Sequence, residues 1–197
     1  DALVARLVDQ AVAPLVAVLQ ARGIDNRGVL YAGLMLTPDG PKVLEYNVRF
    51  GDPETQVVLP RYDGDLADLL AQVAAGRLRT TPRFVADAAV CVVLASEGYP
   101  ESPRVGDPIE GLADAAGSPH ASVFHAGTRA GDTDAVLTAG GRVLGVTALG
   151  ATIDLARSTA YDAVAKLGWP GMHHRTDIAD SPGHTRARSR PTQEVAG

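Results

Sequence analysis

The 197 residues suffice for one ordinary domain or two small ones, and 46% apolar with 21% charged residues is the composition of a globular chain. A net charge of −5 argues against a nucleic-acid partner, whose phosphates call for a basic face, and no apolar run approaches the ~18 residues that cross a bilayer. The lone Cys91 excludes an internal disulfide and, inside an apolar run, reads as a small core residue of a cytoplasmic protein.

In chain order, Leu3, Val4, Leu7, Val8, Ala11, Val12, Leu15, Val16 and Leu19 recur at spacings of three and four, which predicts an amphipathic helix over Asp1–Ala21. Pro14 lies inside it and removes a backbone donor, so a kink or two abutting helices are expected. Gly23 marks the stop. Asp1 is no initiator methionine, no basic signal-peptide region opens the chain, and the helix is already under way; the chain is expected to begin inside something larger.

Two β-like runs follow, Val29–Thr37 and Lys42–Phe50, joined by the turn Pro38-Asp39-Gly40-Pro41. Asp52-Pro53-Glu54 then reads as a helix start, with Asp52 as cap and Pro53 in the first turn. Another helix is predicted over Asp65–Ala75, ending near Gly76. The texture changes at Thr80-Thr81-Pro82-Arg83. Short apolar runs at Ala88–Ala95, Ala121–Ala126, Ala135–Thr138 and Arg142–Ala148 read as strands of a small sheet, with Gly140-Gly141 as a hairpin turn. Thr152–Leu167 returns to helix, burying Ile153, Ala156, Ala160, Val164 and Leu167, with Trp169 sealing its end. The fold class is α+β, divided as 1–80, 81–179 and a polar, disordered tail 180–197.

The chemistry concentrates in Lys42–Gln56. Strand alternation sends Leu44, Tyr46, Val48 and Phe50 toward a core, and Val43, Glu45, Asn47 and Arg49 to the other face. Glu45 and Asn47 supply hard oxygens of the kind magnesium prefers alongside nucleotide phosphates. Arg49 adds a planar donor fork for phosphate or carboxylate. Gly51-Asp52-Pro53 turns the chain into a helix whose first amides could receive an anion. A half-exposed strand shows the same polar alternation, so periodicity leaves a solvated face open. Elsewhere, His125 shows no partner for general base work and reads as a packing or hydrogen-bonding residue. The adjacent His173 and His174 make a poor metal pair, and Ser96 lacks the context of a nucleophile elbow.

The run Glu45-Tyr46-Asn47-Val48-Arg49-Phe50-Gly51-Asp52-Pro53-Glu54-Thr55-Gln56 resembles the signature of the phosphoribosylamine–glycine ligase family of ATP-grasp enzymes. Gly28–Met35 resembles the strand before it. Leu94–Pro100, Val123–Thr128, Gly140–Ala148 and Arg175–Ala179 resemble that family's C-terminal domain, in the same order. The resemblance implies the C-terminal half of an ATP-grasp domain followed by a small β-rich domain. It implies a cytoplasmic enzyme of purine biosynthesis that joins glycine to 5-phosphoribosylamine with ATP through glycyl phosphate, giving glycinamide ribonucleotide, ADP and phosphate. By the same resemblance Glu45 and Asn47 hold Mg2+ (or Mn2+), Arg49 is catalytic and steadies the acyl phosphate, and Gly51, Asp52, Pro53 and Glu54 with Arg49 bind substrate. Glu97 and Tyr99 would lie near the cleft without a catalytic role.

Two departures stand out. Many ATP-grasp enzymes carry an acidic metal ligand on the preceding strand, and Val29–Thr37 has no carboxylate. The family's N-terminal domain, ATP-covering loop and phosphate-contacting lysines have no counterpart here, since Lys42 and Lys166 are the only lysines. The expected partners are therefore glycine, 5-phosphoribosylamine, ATP and a missing N-terminal half, with neither nucleic acid nor membrane. The alternative is a non-catalytic folded module that supplies one wall of the site or a partner surface.

Overall fold

The computed structural model describes residues 2–132 and 134–180. Its contacts cluster into two compact units that part between Ala86 and Asp87. The disordered tail expected from Asp180 lies, beyond that residue, outside the described residues.

The first unit opens with helix α1, Ala2–Ala21. Pro14 cannot donate to Gln10, and the chain absorbs the loss as a π turn over Val8–Val12, where the Ala13 amide reaches back to Val8 O. The result is one continuous helix. At 20 residues, with a mean hydropathy of 1.8 over an 18-residue stretch, it is also long and apolar enough to cross a membrane by length and composition alone. That corrects the sequence expectation, which counted unbroken apolar runs and overlooked a helix with its few charges spread out. Ala11 is 4% exposed, whereas Val4 and Val8 are 55% and 45% exposed.

Strands β1, Tyr31–Thr37, and β2, Gly40–Asn47, form the expected antiparallel hairpin. The register pairs Thr37 with Gly40 across Pro38-Asp39, and Gly40 has a φ of 100°, a conformation glycine adopts without steric cost. A bulge between Gly33 and Leu34 makes Leu44 the extra residue, and β2 ends at Asn47. Leu44 and Val48 are accordingly 65% and 77% exposed rather than directed into a core. Tyr46 is exposed as well, though its hydroxyl donates to Ala11 O on α1.

Helix α2 spans Thr55–Val58 and runs into a 3-10 turn, Leu59–Arg61. Helix α3, Leu66–Ala74, is capped by the Asp65 carboxylate, which accepts from the Asp68 amide at 3.0 Å. Gln72 on α3 fastens the chain that follows, accepting from the amides of Arg79 and Thr80 and donating to Thr80 Oγ1. Ala11 is the only buried apolar side chain among the described residues of this unit.

The second unit carries the core. Strands β3 (Ala88–Ala95), β4 (Ala121–His125) and β7 (Arg142–Gly150) form an antiparallel sheet in the order β3-β7-β4. Helix α5, Ile153–Val164, is capped by Thr152, whose hydroxyl accepts from the Leu155 amide, and packs on the sheet. Val92, Leu94, Val143, Leu144 and Val146 are at most 1% exposed, and Ala156, Ala160 and Ala163 face them from α5. Alanines let the helix sit close: a Cβ on Gly150 would lie 2.5 Å from the Ala156 amide nitrogen. Trp169, 7% exposed, closes the helix end as expected, while Ile153 is 42% exposed and lies outside that core. Cys91 is half-buried rather than in the core, because β3 buries Val90, Val92 and Leu94 on its other face.

Helix α4 (Leu112–Ala116) and a two-stranded sheet of β5 (Thr128–Ala130) with β6 (Val136–Thr138) complete the unit. Gly140-Gly141 is therefore no hairpin turn, since β6 pairs with β5 while β7 pairs with β3 and β4. It passes the chain between two sheets, tied by Ser96, whose Oγ donates to Gly140 O and whose amide donates to Gly141 O.

Candidate functional site

The site is built on the hairpin. Residues directly opposite on antiparallel strands share a face, and the register sets Gly33 against Glu45 and Tyr31 against Asn47. Gly33 is the space-maker: a Cβ there would lie 3.1 Å from Glu45 Cγ and 3.6 Å from the Tyr31 ring. Glu45 and Tyr31 thus lie side by side over a bare backbone.

Asn47 Nδ2 donates to Glu45 Oε1 at 2.9 Å, which brings the two expected metal ligands together. Asn47 is half-buried and Glu45 exposed. The bond uses the amide nitrogen, leaving Asn47 Oδ1 and the other carboxylate oxygen as acceptors for a hard cation. Among the described residues no three His, Cys, Asp or Glu converge on a metal site. One carboxylate and one carboxamide fit a divalent ion that takes most of its ligands from phosphates and water, and they do not form an all-protein cage.

The segment after β2 folds back toward the same face. Tyr31 Oη donates to Glu54 Oε1 at 3.2 Å. Burial, then the charge and hydrogen bond of Glu54, then Glu45, hold the Tyr31 hydroxyl above its ordinary pKa, while Arg49 opposes them. Glu45, Arg49 and Glu54 therefore all lie within electrostatic reach of one phenol. Arg49 is exposed, with Nη1 donating to Phe50 O at 2.8 Å.

Gly51 is buried, and a Cβ on it would fall 2.4 Å from Glu54 Oε2; only glycine lets that carboxylate approach the backbone. Asp52 joins Pro53 through a cis peptide bond and accepts from Gln56 Nε2 at 2.8 Å. Asp52 is not the helix cap expected of it. The cap position falls on Glu54, whose side chain makes no capping bond, and the Thr55 amide and hydroxyl both go to Gly51 O. The amides of Gln56, Val57 and Val58 are likewise satisfied within the turn. The amides of Thr55, Gln56, Val57 and Val58 are thus spent inside the turn, and α2 itself is four residues long.

Sequence reasoning passed over Tyr31 and Gln56. Both stood in recognised runs, but Tyr31 lies 23 residues from Glu54, and only the strand register brings them together. Gln56 Oε1 is buried with no hydrogen-bond partner among the described residues. In the second unit, Glu97 pairs with Arg104 at 2.8 Å, which also holds Asp107 and keeps that carboxyl below its usual range. Tyr99 covers Gly141, and His125 is exposed with Nδ1 3.1 Å from Thr128 Oγ1, the hydrogen-bonding rather than the packing form of the role expected of it.

Comparison with known proteins adds two family matches: the phosphoribosylglycinamide synthetase ATP-grasp (A) domain over residues 1–55 and the phosphoribosylglycinamide synthetase C domain over residues 89–181. A phosphoribosylamine–glycine ligase of Streptomyces coelicolor is 52% identical over 181 residues, covering 90% of this chain and 43% of the relative. One from Caulobacter vibrioides is 47% identical, covering 90% and 42%. The crystal structure of phosphoribosylamine–glycine ligase from Thermotoga maritima superposes with a TM-score of 0.63 at 36% identity, over 75% of this chain and 36% of that one. N5-carboxyaminoimidazole ribonucleotide synthetase from the same organism, with a TM-score of 0.55 at 16% identity, shares the fold alone. The chain thus spans less than half the length of the relatives it matches. Helix α1 and the Glu45/Asn47 hairpin lie inside the ATP-grasp match.

Proposed function

Because this chain belongs to the phosphoribosylglycinamide synthetase family, we propose that it supplies one wall of an ATP-dependent ligase that joins glycine to 5-phosphoribosylamine in purine biosynthesis. The observation that carries the proposal is the hydrogen-bonded Glu45/Asn47 pair on β2, with Arg49 and Glu54 within reach of the same tyrosine.

In this reading a glycine carboxylate oxygen attacks the γ-phosphorus of ATP, and ADP leaves. The amine nitrogen of 5-phosphoribosylamine then attacks the acyl carbon of glycyl phosphate. The acyl C–O bond breaks, phosphate departs with that oxygen, and the amine gives up a proton. Such transfer depends chiefly on positioning and charge neutralisation. Glu45 and Asn47 would hold a magnesium or manganese ion, whose bound charge neutralises the phosphate oxygens. Arg49 offers its donor fork to the acyl phosphate. Asp52, Pro53 and Glu54, held against Gly51, shape the substrate pocket.

The rest of the site comes from segments with no counterpart among these 197 residues. The apolar surface that the first unit leaves open on α1 and β2 suits burial against them, better than it suits lipid, since α1 falls within a grasp-domain match. A soluble, cytoplasmic enzyme follows from this reading.

The test is ADP formation from ATP, glycine and freshly generated 5-phosphoribosylamine. The chain is assayed alone and mixed with the part of the Streptomyces coelicolor relative that it does not match. Activity that depends on both substrates is expected in the mixture and not from the chain alone. No activity in the mixture, from a chain whose buried Trp169 emission reports a folded second unit, would favour the non-catalytic module instead.

A further inference from the structure

Tyr31 has no part in the reaction outlined above, yet it touches the side chains that do. It faces Asn47 across the ladder, lies beside Glu45 over Gly33, and donates to Glu54 Oε1 at 3.2 Å. The other bonds described for the 51–56 segment are local: Gln56 to Asp52, and Thr55 to Gly51. The Tyr31–Glu54 bond instead crosses 23 residues to anchor the segment on β1.

Its geometry also sets the direction in which Glu54 can act. An ionised carboxylate only accepts hydrogen bonds. Here Tyr31 fixes one oxygen, and the other is packed where Gly51 has no side chain. The carboxylate is thereby held in one orientation before any ligand arrives, which removes an ordering cost from binding. Glu54 and Arg49 present opposite charges around the same phenol, a pairing that matches the ammonium and carboxylate ends of an α-amino acid.

We propose that Tyr31 is a positioning residue that holds the Glu54 carboxylate to receive the ammonium group of the amino-acid substrate. This rests on the ligase reading above. The hydroxyl is the part that matters. The ring alone would fill the space over Gly33 equally well.

The test uses Tyr31→Phe, Glu54→Gln and the double variant in the full-length polypeptide that carries these residues. Tyr31→Phe is expected to raise KM for glycine about 5- to 10-fold, the size of effect of one lost hydrogen bond of ordinary strength. It should leave kcat and KM for ATP within about twofold of wild type. The double variant should be no worse for glycine than Glu54→Gln alone, because the tyrosine acts only through that carboxylate. A purely structural tyrosine would shift KM for ATP and glycine together, and an idle one would shift neither; either result overturns the proposal. So does a double variant whose defects multiply. An inactive wild type would instead sink the ligase reading itself, so the two failures are distinguishable.

Discussion

Replacing Glu45 with alanine, in the full-length polypeptide that carries these residues, is expected to cut magnesium-dependent ADP formation about 10²- to 10³-fold, the usual cost of removing a preorganised group that stabilises developing charge. Folding should be almost untouched, because Glu45 is exposed and a surface substitution of this kind changes stability by about 0.5 kcal/mol or less. Its one described bond, from Asn47, can be replaced by water. The loss should appear as a lower maximal rate and a higher magnesium requirement, read from initial rates across a magnesium titration. A Glu45→Ala enzyme with wild-type rates and metal dependence would show that the carboxylate is a solvated side chain of a half-exposed strand.

The second large effect is on stability and falls in the other unit. Leu144→Ala is expected to cost about 2–5 kcal/mol, combining lost transfer energy with the cavity left behind. Leu144 is 1% exposed near the start of β7, opposite Leu94 on β3 and His125 on β4, so both neighbouring strands lose contact. Trp169 is the only tryptophan and belongs to the same core cluster, which lets its emission follow urea unfolding of this unit. Leu44→Ala serves as the control: 65% exposed on the bulged β2, it should leave that transition in place. Equal midpoints for wild type and Leu144→Ala would contradict the assignment of the core.

The contrast between these two positions shows what could be read from sequence. The β3 run Ala88–Ala95 coincides with its observed strand, because alternating Val90, Val92 and Leu94 carry their own burial signal. Helices α3 and α5 were also legible: their predicted first residues, Asp65 and Thr152, prove to be their caps. The Glu45/Asn47 pairing was legible for the same reason, being a two-residue spacing on one strand. Features that depend on a distant partner were not. The Leu44 bulge is set by β1, the role of Tyr31 by its register with Asn47, and the path of Gly140-Gly141 by which sheet each flanking strand joins. Strands of three residues, such as β5, are too short for periodicity to register. The turn at Asp52 misled because Asp, Pro and Glu in sequence imitate a helix start, while the amides they would cap are already bonded within the turn.

The most direct measurement of the central claim is oxygen transfer from glycine. Glycine labelled with 18O in both carboxylate oxygens is turned over with ATP and 5-phosphoribosylamine by the full-length polypeptide, and the inorganic phosphate is analysed by mass spectrometry. If the carboxylate is phosphorylated and the amine then displaces phosphate, each phosphate released carries one labelled oxygen. Unlabelled phosphate accompanying glycine-dependent turnover would contradict the account, because ATP would then have been cleaved without bonding to the glycine carboxylate.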